Sequence, residues 1–205
     1  IDKKLDKSLV GLTGSSGDVL IEDGAGGILG TSRFNVNPSN GDITGTLIRA
    51  DTTDCKIAIG FEAGNTSQGD GAVALGNVAG YNTQEDNAIA IGNQSGEELQ
   101  GASAVAIGKL SGNENQGSSA TAIGNEAGQS SQGNNSIAIG LRAGNLDQNG
   151  GAVALGSGAG QNTQGDNAIA MGNQAGQNTQ GASAVSIGKQ SGKENQGSSA
   201  TAIGN

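Results

Sequence analysis

The sequence has no His and no Trp, one Cys, one Pro, one Met and three aromatic residues, Phe34, Phe61 and Tyr81. Without His there is no imidazole for acid–base chemistry, for a Ser–His–Asp arrangement or for a His-ligated metal. Cys55 alone allows no disulfide within the chain; an idle thiol, or contact between symmetry-related copies, is expected of it. One Pro excludes collagen, which needs Gly at every third position and abundant Pro. No apolar run approaches the ~18 residues of a membrane span, and no basic, apolar, small-residue series marks a signal peptide. Lys and Arg number 10 against 19 Asp and Glu, for a net charge of −9. The absence of basic clusters argues against nucleic acid as a partner. Ile, Leu, Val and Phe make up about a fifth of the chain, too little to fill an ordinary core. Two readings survive: disorder, or a repeat fold with a very thin core.

What is abundant is Gly, 39 of 205 residues against a usual ~7%. A Gly closing an "AIG"-type tetrad recurs every 16 residues from Gly60 to Gly204. A second Gly follows four residues later, from Gly64 to Gly192, and a Gln eight residues later, from Gln68 to Gln196, in every unit. Disorder does not require such spacing, which excludes it for 57–205. Residues 71–125 return as 151–205 with 43 of 55 positions identical. The tetrads at 57–60, 73–76 and 89–92 alternate large and small apolar residues, the period of a strand. Helix is excluded, because two or three Gly per unit would each cost ~1 kcal/mol against Ala.

A constant period predicts stacked coils, each adding one ~4.8 Å step. The expected fold is all-β: a parallel β-roll or β-solenoid of about nine 16-residue coils over 57–205. Sixteen is not a multiple of the hexapeptide unit of three-sided coils, so a two-sided roll is expected. The Ala row from Ala58 to Ala202, with Ser186 its one exception, would let the two strands of a coil lie close together. The Ile/Val/Leu row would then face outward, a patch larger than monomers tolerate, which predicts a homo-oligomer sharing that row. Stacked Gln amides are expected to hydrogen-bond from coil to coil, as in other amide ladders.

The hexads NAIAIG (87–92), SAVAIG (103–108), NSIAIG (135–140) and NAIAMG (167–172) resemble the head repeats of trimeric autotransporter adhesins, the YadA-like heads. Similar repeats occur in surface and fibre proteins of phages and large DNA viruses. The resemblance implies a left-handed parallel β-roll, a homotrimer with the large apolar residues at the shared interface, and an extracellular or virion-surface location. The unit here is longer than the usual one of those heads, so one turn or strand must differ.

Residues 1–56 lack the repeat and read as a small β-rich collar or shaft covering the first coil's edge. A hairpin is expected between 34–37 and 42–48 around Pro38 and Gly41. Because Asn205 falls part-way into a unit, a longer fibre or a further cap is expected.

Acidic residues share rows: Asp70 with Asp86, Glu85 beside them, and Glu98 with Glu114. Stacking would bring them within ~5 Å, but no aromatic sugar platform or calcium-binding nonapeptide accompanies them, and a solvated acidic face is expected. No catalytic, cofactor or metal residue is assigned. Val78, Tyr81, Leu99 and Leu110 are apolar where the second copy has Gly158, Gln161, Thr179 and Gln190; they are the candidate partner-contact residues.

The expectation is a non-enzymatic structural protein, the head or spike of an attachment fibre, meeting a host glycan or protein receptor. Nine coils span only ~43 Å, wasteful for a spacer and suited to a stiff display surface. The rival is a monomeric solenoid binding an ordered surface such as ice or crystalline polysaccharide. Its mark would be a flat Thr array, for which only the scattered Thr66, Thr83, Thr163 and Thr179, read as sharing one row, are at hand.

Overall fold

A computed structural model of the chain describes residues 56–204 in full and, ahead of them, the backbone of three two-residue strands. The chain divides into two compact units, Ile1–Ala50 and Asp51–Asn205. In the first, β1 (Gly17–Asp18), β2 (Asn35–Val36) and β3 (Ile43–Thr44) form an antiparallel sheet in that order. Asn35 faces Thr44 and Val36 faces Ile43, the pairing expected of the hairpin. Cys55 and, apart from these three strands, residues 1–55 of the predicted collar lie outside the described residues.

The second unit is a parallel β-solenoid without any helix among the described residues. Its ten tetrad strands, from Ile57–Ile59 to Thr201–Ile203, stack in chain order into one sheet. Each residue pairs with the one 16 positions on: Thr121 with Ile137, Ala122 with Ala138, Ile123 with Ile139. Seven strands ending in Gln, from Glu98–Gln100 to Glu194–Gln196, form the facing sheet. Single bridges joining Gln68 to Gln84 and Gln84 to Gln100 continue it over the first coils. The turns are laddered as well; Gly128 N donates to Ala143 O and Arg142 N to Asn125 O. Parallel stacking thus satisfies backbone groups along the turns as along the strands.

The core is as thin as the composition requires. Ala122 and Ala138 of the tetrad row pack with Ala127 and Ala143 of a second Ala row, all fully buried. A third row, including Ala72, Ala88 and Ala104, is equally buried. The largest fully buried side chains are glutamines. No Ile, Leu or Val lies in this interior: the tetrads bury their Ala and turn both large residues outward.

The tetrad Gly is required by both conformation and space. Its φ lies between 117° and 137° in all ten coils, a region that side-chain-bearing residues rarely enter. A Cβ on Gly124 would stand 2.6 Å from the carbonyl oxygen of Gly140. The second strand departs from the simple expectation. Its middle residue has φ of 43–57° from Leu99 to Asn195, and only the residues flanking it pair, as Ser130 with Leu146 and Gln132 with Gln148. This local inversion breaks the alternation, so of the three residues only Gln is buried.

Candidate interaction surface

Three features of the solenoid face outward with chemical character: an apolar ladder, a mixed edge, and the face of the Gln sheet.

The ladder consists of the first and third residues of each tetrad. Among third-position residues, Ile139 is 39% and Ile187 40% exposed in the single chain. No charged residue interrupts either row from Ile57 to Ile187. Its outward direction follows from the interior: the inward tetrad position packs against a second Ala row and the Gln amides, leaving room there for Ala or, at 186, Ser, so the larger members of an alternating strand point away.

The edge carries three of the four predicted contact residues. Val78 and Leu110 occupy one row with Gln94 between them, and Tyr81 occupies the row beside it, under Glu97. Gln94 and Asn113 both donate to the Glu97 carboxylate, at 3.1 and 2.8 Å. Val78, Tyr81 and Leu110 are half-buried. The corresponding edge of the second half is an amide ladder, with Gln177 donating to Gln161 and Gln190 to Gln174. Between them, Arg142 pairs with Glu126 at 2.6 Å, and that hydrogen bond raises the guanidinium above its ordinary range.

Leu99 is not part of this edge. It stands at the positive-φ position of the Gln sheet, 52% exposed, beside an open depression of about 290 Å³ that it lines with Thr83, Glu85 and Asn115. Sequence reasoning missed Leu146 on the same sheet, and Phe61 and Leu141 just after the tetrad Gly, all exposed. Their signal was a large apolar residue at a position that is polar in neighbouring coils.

The acidic rows serve the backbone. Asp86 Oδ1 accepts from Asp70 N, and Glu85 Oε2 from Ala102 N, both at 2.9 Å. Asn134 Oδ1 does the same for Ser118 N. Lys56 Nζ lies 3.6 Å from Asp70. Glu98 and Glu114 are paired neighbours in the Gln sheet, and Ser130 Oγ donates to Glu114. No group of three His, Cys, Asp or Glu suited to a metal occurs among the described residues.

The four Thr do not share one row as expected, and they form no array. Thr83, Thr163 and Thr179 share the mid-strand row with Leu99, Asn115, Ser131 and Asp147, and Thr66 falls one row earlier, beside Asn82. Comparison with protein-family models, curated proteins and solved structures returns no match.

Proposed function

We propose that the chain is a non-enzymatic structural surface protein, the head of an attachment fibre, with three copies joined along the apolar ladder. The observation that carries this reading is the outward-facing double row of Ile, Val and Leu along the ten-stranded sheet. Two side chains wide and ~43 Å long, it covers on the order of 500 Å² in projection, at the upper end of what a monomer exposes. The accessible area of side chains standing proud of the sheet exceeds that projection and approaches the ~800 Å² per partner of a standard interface. Freedom from charge is the mark of an interface core. A second and a third copy of the same row provide the matching occupant, because the row repeats at one fixed step along each chain. The left-handed winding and the fibre-head role belong to this reading through the likeness of the tetrads to YadA-like heads. Extracellular or virion-surface placement follows from the same likeness.

Within it, the edge bearing Val78, Tyr81 and Leu110, with Leu99 on the neighbouring face, is the surface offered to a host glycan or protein receptor. Light scattering on a dilute, reduced sample tests the assembly. The expected mass is about three times the 19.9 kDa of one chain. A folded monomer would overturn the trimer and leave a single-chain solenoid with an exposed apolar face.

A further inference from the structure

A uniform apolar ladder holds copies together without specifying how far one is slid along another. Sliding by one coil replaces Ile with Val or Leu and gives up only the end coil of ten, so register is weakly defined by these contacts. From Ile57 to Ile187, one polar residue stands in the two outward rows: Thr121. It is half-buried and pairs with Val105 and Ile137 in the adjoining coils. Its amide donates to Ser136 O and its carbonyl accepts from Gln132 Nε2. Its hydroxyl has no partner among the described residues. A second such residue, Thr201, follows five coils later.

We infer that Thr121 sets the axial register in which three copies of this chain meet. The inference rests on the trimer proposed above. In register, three hydroxyls come together at one level, and each donates to one neighbour and accepts from the other, closing a ring. When one copy slides by one coil, its own hydroxyl faces Val105 or Ile137 and is buried without a partner, while the ring opens to a single pair between the other two, which disfavours the slip. The one slip that lays Thr121 on Thr201 separates half of the ladder. A single polar level that specifies register within an apolar seam has a parallel in the buried Asn of coiled coils.

Thr and Val have nearly the same shape, which permits a test at constant composition. The polar level is moved two coils along by Thr121→Val with Val153→Thr in the full chain. This variant and the parent, one of them carrying a mass tag, are co-refolded, and native mass spectrometry counts mixed trimers. A second variant, Thr121→Val with Val105→Thr, moves the level one coil the other way and serves if the first does not fold. Parent with tagged parent is expected to mix statistically. Parent with either moved-level variant is expected to yield mixed trimers depleted roughly tenfold or more from that proportion, because the odd copy either keeps its hydroxyl unpaired in register or slides to realign it, losing end-coil contact and misaligning Thr201. Statistical mixing of parent and variant, with trimers intact, would overturn the role of Thr121 and leave the trimer standing. Monomers in every sample would instead remove the trimer on which the inference rests.

Discussion

A Gln buried in an apolar interior must place two N–H donors and a carbonyl, and Gln132 does so within one stack. Its Nε2 donates to Thr121 O at 2.9 Å and to Gln148 Oε1 at 3.1 Å, while its Oε1 accepts from Gln116 Nε2 at 3.0 Å. The same pattern runs from Gln68 to Gln196, so the amide dipoles align and polarise one another. Gln132→Leu fills similar space but strands a donor of Gln116 and the acceptors on Thr121 and Gln148. Equilibrium urea unfolding should show a loss of roughly 3 kcal/mol or more; unchanged stability would mean the ladder is ornamental. Gln132→Glu faces its carboxylate toward two acceptors, and burial raises its pKa above the ordinary ~4.3. The folded state then holds the proton more tightly than the unfolded chain. This variant should be most stable below about pH 4 and lose stability as pH rises through the folded-state value, whereas Gln132→Leu shows no such trend.

The folding element of the solenoid is the whole coil, because each of its strands pairs with its counterparts 16 residues away. Such an array gains stability coil by coil. Removing residues 109–124 joins Gly108 to Asn125, restores each row, and should yield a folded solenoid with a modestly lower midpoint. Removing only 109–116 sends each later tetrad onto the Gln sheet, setting the tetrad Gly where Gln is buried and Gln where only the tetrad Gly fits. Circular dichroism and thermal melting should show loss of the cooperative transition in the second deletion and its retention in the first. Equal behaviour of the two would contradict a strict 16-residue stacking unit.

For the molecule as a whole, the two faces of the solenoid differ in what they expose. The tetrad sheet shows an uncharged apolar ladder, and the Gln sheet shows Glu98, Glu114, Ser131 and Asp147. A charge on the ladder therefore probes assembly, and the same charge on the other sheet controls for folding. In a trimer, Ile139→Lys brings three ammonium groups to the shared interface, where burial without partners is costly. Its mass by light scattering should fall to that of one chain, with the circular dichroism of the coil unchanged. Ser131→Lys, on the exposed face, should leave the mass unaltered. If Ile139→Lys also leaves a trimer intact, the ladder is not what joins the copies.

The sequence by itself determined the 16-residue step, the parallel stacking, the outward turn of the large tetrad residues and the Gln ladder. Each follows from which residue types recur at one position, since a constant period puts identical positions in register and alternation assigns their sides. Tertiary closure decided what periodicity does not encode. The mid-strand positive φ at Ser131 and Thr163 arises because a short coil must invert its backbone locally to bring Gln inward. Only the closed coil packs the rows containing Ala127 and Ala72 as buried partners of the tetrad Ala. It likewise sets Asp86 and Glu85 against backbone amides of neighbouring coils, and separates Leu99 from the edge that carries Val78, Tyr81 and Leu110. Row membership is a property of spacing along the chain, whereas the direction of a side chain within a turn depends on the sign of φ. That sign is set by where the coil must bend to meet its own beginning one step higher.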